Sequence, residues 1–329
     1  MPSTVDVIQM LADGQLHSGS ELAAALGCSR TAVWKHMQGL DELGLELAAS
    51  PGRGYQLSAP LELLDSSLIR ASLDQSAARR LQSLQLEPVM DSTSETLRNF
   101  AAPGAGRMHA ALTEFQRGGR GRRGRSWLSP FASGLCLSVS WTMEAGPGGF
   151  AGLSLALGVA AHGTLEALGA RDVGLKWPND LVVGDGKLGG LLLDLEGEAA
   201  GPLKLVAGIG INVRRDARLR AAVGHGDALP PVALDECCAQ PVSRNVLAAG
   251  LIAAFGDALA AFELNGFEPF ADSWRRLDVL HGKPVSVRVG ARTWRGEARG
   301  IAPDGALLVA RNGELEAVLS GDVTVRRGQ

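Results

Sequence analysis

Apolar residues recur at helical spacing in "VDVIQMLADG" (residues 5–14), and the run stops at a glycine. The pattern returns in "SGSELAAALG" (18–27) and, directly after Gly27, in "CSRTAVWKHMQGLDELGL" (28–45), where Ser29 is placed to cap the third helix. Two short helices joined at a glycine predict a helix-turn-helix. "ELAASPGRGYQL" (46–57) then reads as strand, tight turn and strand, the wing of a winged helix. A linker and a connecting helix follow in "SAPLELLDSSLIRASL" (58–73).

Beyond this point strand-like and helix-like runs alternate. "LEPVMDST", "MHAALTEFQ", "GLCLSVSWTM", "VGLKWPNDLVV", "KLGGLLLDLEG" and "LKLVAGIGINV" predict strands. "SETLRNFAA", "FAGLSLALGVAAHGTLEALG" and "RNVLAAGLIAAFGDALAAFEL" predict helices. That mixture predicts an α+β domain with a mixed sheet. After residue 280 the period falls to two around Gly and Asp-Gly turns, in "KPVSVRVG", "TWRGEARGIAPDGALLVA" and "LEAVLSGDVTVR", which predicts a small β-barrel. The expected division is 1–62 for the winged helix, 63–277 for the central domain and 278–329 for the barrel.

Composition narrows the classes. The 329 residues are 46% hydrophobic and 20% charged, which is globular and leaves ample length for a core. The net charge of −3 excludes a polycation that coats nucleic acid, so anion binding must come from local clusters. Cys28, Cys136, Cys237 and Cys238 form no metal-ligand spacing and no plausible disulfide set, which fits a reduced, cytoplasmic setting. No metal site is expected from side-chain spacing, and "FAGLSLALGVAA" is too short to span a bilayer.

The clearest chemistry lies in "RGGRGRRGRSW" (117–127), five arginines and four glycines in nine residues ahead of Ser126 and Trp127. Gly118, Gly119, Gly121 and Gly124 let backbone N–H groups turn toward a ligand, and Arg120, Arg122 and Arg123 can neutralise carboxylate or phosphate. A small anion, a nucleic acid and plain solvent all remain candidate neighbours. In "KWPNDLVVGDGKLGG" Lys176 ends a strand, Asn179 and Asp180 make a polar turn, and a hairpin returns Lys187 beside Gly189 and Gly190, where a ligand could approach the backbone. Taken alone, Lys187 also reads as a surface lysine and Trp177 as core. Gly208 and Gly210 in "AGIGINV" thin a strand, although a β-bulge explains them equally; Asn212 could orient a phosphate or a metal-bound water. The hydroxyls of "DSTSET" (91–96) suit a ligand or simply a helix cap. No nucleophile triad is present. The chemistry is electrostatic, with Lys and Arg around an anionic reacting group, as phosphoryl or nucleotidyl transfer requires.

"GRGRRGRSWLSP", "KWPNDL", "GKLGGLLLDLEG" and "GIGINV", in this order and spacing, resemble biotin–protein ligases. "HSGSELAAALGCSRTAVWKHMQGL" and "PGRGYQLS" are similar to the winged helix of the bifunctional members that also repress the biotin operon, so the resemblance spans nearly the whole chain. It implies a class II synthetase-like central domain, an SH3-like C-terminal barrel, and use of biotin, ATP and Mg²⁺. The product would be biotinyl-5′-AMP, from which biotin passes to a lysine of a biotin carboxyl carrier protein. By the same resemblance Ser92, Thr93, Gln116 and the backbone near Gly119 and Arg120 would hold the biotin head, with Trp127 packed beside it. Arg120, Gly121 and Arg122 would close over the adenylate, and Lys187, beside Gly190, would meet the carboxylate and the developing phosphoanhydride. Gly208 and Gly210 would border the biotin and adenylate, Asn212 would face the nucleotide side, and Arg326 would approach the adenylate from the barrel. Where the family often has Asn after "DST", this chain has Ser94. Lys187 and Arg122 are the expected catalytic pair. The arginine–glycine loop is expected to be mobile when empty and to order around the adenylate.

For the repressor half, Ser29, Arg30, Thr31, Lys35 and His36 on the recognition helix and Arg53 in the wing are the expected DNA contacts, made by a homodimer formed on adenylate binding. Residues 1–60 hold three Lys/Arg against six Asp/Glu, a local charge of −3 that is awkward for phosphate contacts. A lipoate ligase of the same fold, or a DNA-binding biotin sensor without ligase activity, would share many of these features.

Overall fold

Serines open the first three helices. The computed structural model describes residues 2–50, 53–143, 150, 152–197, 202–222, 229–319 and 323–327. In α1 (Thr4–Leu11) and α2 (Gly19–Ala25), Ser3 and Ser18 accept from the backbone N–H of Asp6 and Glu21, whose carboxylates in turn accept from the serine N–H. Ser29 caps α3 (Arg30–Gln38) by accepting from Ala32 N at 3.2 Å. Val7, Ile8, Leu11, Leu22, Val33 and Leu40 are fully enclosed between the three helices. The antiparallel hairpin of β1 (Leu47–Ser50) and β2 (Gly54–Leu57) forms the wing, and a bridge from His17 to Tyr55 ties it to the start of α2.

After α4 (Ser66–Ala71) and α5 (Gln75–Arg80) the chain enters a seven-stranded sheet. Its elements are β3 (Leu81–Met90), α6 (Thr93–Arg98), β4 (Met108–Gln116), β5 (Gly134–Met143), α7 (Leu153–Ala167), β6 (Val173–Lys176), β7 (Asp180–Val183), β8 (Gly186–Glu196) and β9 (Leu203–Asn212). The order is β3-β4-β5-β9-β8-β7-β6, with β3 and β4 parallel and the other neighbours antiparallel. β3 begins at Leu81, ahead of the stretch expected from residue 86; as the edge strand it tolerates Pro88. Then come α8 (Ala217–Ala222), α9 (Arg244–Asn265) and α10 (Glu268–Leu277). One face of the sheet is covered by α7 and α9, with Trp141 and Phe255 enclosed between. By length and composition α9 could cross a bilayer, but 61% of its most apolar window is buried, so it serves as a core helix. The other face carries α6, which rests on β4, β5 and β9.

The C-terminal part is a five-stranded antiparallel sheet of β10 (Pro284–Val289), β11 (Arg292–Ile301), β12 (Leu307–Arg311), β13 (Glu314–Val318) and β14 (Val323–Arg327), ordered β13-β12-β11-β10-β14.

Three seams hold these parts together. The winged-helix core takes in Phe131 and Ala132 from the segment before β5, with Phe115 packed against it, and Phe131 N donates to Leu43 O at 3.3 Å. The linker at residues 62–65 is fastened by α9: Arg244 donates to Glu62 O at 2.7 Å and to Gly134 O at 3.0 Å, and it ion-pairs with Glu114 at 2.5 Å. Glu114 in turn accepts from Leu64 N. The C-terminal sheet meets the central domain where Trp177 Nε1 donates to Gly305 O at 3.1 Å and Val279 N to Leu175 O at 3.0 Å.

Candidate functional site

A cavity of about 360 Å³ opens where β5, β8 and β9 face the first turn of α6. Its floor is polar. Ser92 is the N-cap of α6, its Oγ accepting from Glu95 N at 3.5 Å, so the cap explanation holds for that hydroxyl. The next two hydroxyls turn inward. Thr93 N and Oγ1 both donate to Gln116 Oε1, at 2.9 and 3.2 Å. Thr93 Oγ1 and Ser94 Oγ lie 2.8 and 2.9 Å from Ser138 Oγ. Ser138 was not singled out from the sequence; the signal was there as two serines, Ser138 and Ser140, at alternate positions of an apolar strand.

The paired glycines of β9 make room for this wall. Gly210 and Gly208 lie opposite Cys136 and Ser138 of β5, and the ladders to β5 and β8 run through both without a register shift, so no bulge is present. A Cβ at Gly210 would come within 2.3 Å of the Trp127 ring, and one at Gly208 within 2.7 Å of Ser94 Oγ. Trp127 therefore packs the Nε1 edge of its indole against β9, with Nε1 buried over Cys136. Cys136 beneath it is no nucleophile, because burial pushes its thiol up to about 11.

The rim is cationic. Among the described residues, Lys176, Lys187, Arg120, Arg122, Arg123 and Arg125 border the cavity with the carboxylate of Asp180. The arginine–glycine loop forms a small folded flap: Trp127 N donates to Gly119 O at 2.8 Å, Gly121 N to Arg125 O at 2.6 Å, and Arg120 bridges Ser126. Gly119 lies so close to the Trp127 carbonyl that a Cβ there would sit 2.2 Å from its oxygen. Arg122 Nη1 reaches Asn179 Oδ1 at 3.4 Å, and Arg120 pairs with Asp194 at 3.4 Å. Asn179 is itself fixed by donating to Leu191 O at 2.6 Å. Lys187 Nζ ion-pairs with Asp180 Oδ1 at 2.6 Å and stands 5.7 Å from the centre of the Trp127 ring. Gly190 leaves the space that Lys187 crosses, since a Cβ there would be 3.1 Å from Nζ.

Trp177 is core, as its sequence context suggested, 1% exposed. Asn212 borders the cavity, but its amide nitrogen donates to the carbonyls of Lys187 and Val232 at 3.2 and 3.1 Å. It holds the start of β8 in place rather than presenting an amide N–H to a nucleotide. Arg326 lies in β14 opposite Ser286, and its side chain is outside the described residues. Among the described residues no three His, Cys, Asp or Glu side chains gather into a metal site.

On the winged helix, Arg30, Thr31, Lys35 and Arg53 are exposed. His36 is not a free contact: its Nδ1 lies 3.2 Å from Thr4 Oγ1 on the side of α3 that faces α1. The Ser29 hydroxyl is engaged in capping. Trp34, 52% exposed, was passed over in the sequence.

Three family models match the chain: an HTH domain over residues 5–56, the biotin/lipoate A/B protein ligase family over 86–218 and the biotin protein ligase C-terminal domain over 280–326. The chain is 37% identical to the bifunctional ligase/repressor BirA of Salmonella typhimurium, over 98% of this chain and 97% of that protein. It is equally similar to BirA of Escherichia coli strain K12, 37% identical over 98% and 97%. The biotin protein ligase from Aquifex aeolicus in complex with biotin and ATP superposes with a TM-score of 0.62 at 26% identity, covering 76% of this chain and all of that one (100%).

Proposed function

The chain belongs to the family of bifunctional biotin ligase/repressors, and from that membership we propose how its parts divide the work. It is an ATP-dependent biotin–protein ligase and a repressor of the biotin operon, acting in the cytoplasm. Residues 63–277 and 278–329 serve the ligase and 1–62 the operator. The observation that carries the ligase reading is the cavity itself, a polar, tryptophan-covered floor under a rim of six cations. Biotin offers it an apolar bicycle with a ureido group at one end and a carboxylate at the other. The floor of Thr93, Ser94, Gln116 and Ser138 suits the ureido end, with Trp127 over the rings. Lys187 and the arginine flap suit the carboxylate and the phosphates of ATP.

In the first step a biotin carboxylate oxygen attacks the α-phosphorus of ATP, the α–β anhydride bond breaks, and pyrophosphate leaves. Two anions must meet, and fixed cations lower that repulsion where water cannot. In the second step the ε-amine of a carrier-protein lysine attacks the acyl carbon of biotinyl-5′-AMP and AMP leaves. Between the steps the flap shields the mixed anhydride from water. Mg²⁺ would enter with the nucleotide and neutralise phosphate charge; Asp180 is the cavity carboxylate that would share it. The purified protein should release pyrophosphate and label a biotin carboxyl carrier domain with biotin plus ATP. Labelling with lipoate in place of biotin would overturn the assignment of substrate.

Arg122→Gly tests the flap. It removes the bond to Asn179 and a guanidinium facing the adenylate. Adenylate should escape roughly 10- to 100-fold faster, as expected for one charge-assisted hydrogen bond, and bystander proteins should become biotinylated. Retention equal to wild type would rule out the clamp.

For the repressor, biotinyl-5′-AMP acts as co-repressor by favouring a homodimer that reads a two-fold operator. Support comes from the segment joining the flap to β5, which carries both Trp127 at the cavity and Phe131 in the winged-helix core. Biotin with ATP should therefore tighten operator binding in a gel shift by roughly tenfold or more. Equal binding with and without them would break the coupling.

A further inference from the structure

The recognition helix α3 presents an outward stripe of five exposed residues, Arg30, Thr31, Trp34, Lys35 and Gln38. At about 100° per residue these fall within one arc, with Arg30 and Lys35 at its edges and Trp34 between them, nearer Arg30. Val33 and Met37, on the side next to Arg30, are buried. Trp34 remains 52% exposed with the central domain seated on the winged helix, so no part of the described chain covers it. Among the described large hydrophobic residues left exposed it is the one aromatic; the others are Leu and Val.

The charge of this unit says what such a residue is for. Residues 1–60 carry three Lys/Arg against six Asp/Glu, so counterion release can contribute little to affinity. Arg30, Lys35 and Arg53 supply the phosphate contacts, and all three are exposed. A unit with few ionic contacts must gain its sequence preference from base edges. An exposed aromatic plate flanked by two cations on a groove-entering helix fits the apolar edge of the major groove, the 5-methyl group of thymine.

We infer that Trp34 reads thymine methyl groups of duplex DNA in the major groove and is the principal specificity-determining side chain of the winged helix. This rests on the repressor reading above. Arg30 and Lys35 clamp the phosphates on either side and set affinity without sequence preference.

The test uses the full-length chain with biotin and ATP, and a duplex enriched from a random-sequence library by the wild-type protein. Trp34→Ala should bind the enriched duplex roughly tenfold or more weaker, while binding an unrelated duplex as wild type does and with an unchanged salt slope. Lys35→Ala should weaken both duplexes alike and flatten the salt slope. Replacing thymines by deoxyuridine removes only the methyl group. At one or more positions it should weaken wild-type binding several-fold and leave Trp34→Ala indifferent. Normal ligase activity of Trp34→Ala shows that the chain is folded. The inference falls if Trp34→Ala weakens both duplexes equally, if it binds the enriched duplex as wild type does, or if deoxyuridine costs the wild type nothing at every position. A changed sedimentation coefficient in Trp34→Ala with unaltered DNA binding would make the face a contact between copies and overturn it. If the wild type enriches no duplex, the repressor reading falls first and takes the inference with it.

Discussion

Replacing Lys187 with alanine should lower kcat/KM for biotin-dependent pyrophosphate release by roughly 100- to 1,000-fold, the usual effect of losing one fixed charge donor at a developing anion. Lys187 is, with Lys176, a cation that strands bring to the cavity, and it is held between Asp180 at 2.6 Å and the Trp127 ring. Its removal also leaves Asp180 facing the substrate anions without its partner, so the local field changes by more than one charge. Fold stability should change little, since a half-exposed ion pair contributes about 1 kcal/mol or less. The measurement is steady-state pyrophosphate release with a thermal melt on the same sample. A loss below tenfold with normal melting would mean that the arginines alone meet the phosphates and that Lys187 merely neutralises Asp180.

The largest effect on stability is expected at Arg244→Leu. Arg244 is 0% exposed and Glu114 5%, and they pair with each other on the inside of the linker seam. Removing the guanidinium leaves a carboxylate in a dry site, which costs about 3–5 kcal/mol. At about 2–4 °C per kcal/mol for a domain of this size, the melting temperature should fall by roughly 10 °C. Adding Glu114→Leu should recover only part of this. The double variant cures the unpaired charge, but Leu64 N and Gly134 O still lose their partners. A thermal melt of Arg244→Leu within 2 °C of wild type, a margin of about 1 kcal/mol or less, would show that water reaches the site.

The parts legible in the sequence were the local ones. The Arg120–Arg123 run, Lys187 after its hairpin and the wing each depend on residues close in the chain, where spacing fixes geometry. Gly208 and Gly210 looked ambiguous because bulge and close approach demand the same residue; only the unbroken register and the Trp127 ring separate them. Contacts between distant segments were illegible. Ser138 of β5 meets Thr93 of α6, and Glu114 meets Arg244 from 130 residues away. The contact of His36 with Thr4 was illegible for the same reason, because Thr4 of α1 lies 32 residues earlier in the chain. The helices α5 and α8 escaped for a related reason: they have only 6 residues each, too short for a long apolar stripe. α10 was overlooked although Phe270, Trp274 and Leu277 recur at helical spacing.

The Phe131 seam has an evolutionary corollary. A ligase that shed its DNA-binding head would uncover Phe115, Phe131 and Ala132 together, an oily scar on the segment that leads into the catalytic flap. Losing the regulator is therefore not a clean deletion for this chain. A descendant with a single occupation would first have to repaint that scar with polar residues, or graft another small domain over it. The repressor head is also a stopper for the enzyme's side, and that mechanical duty would keep it in place even in a lineage whose operator had decayed.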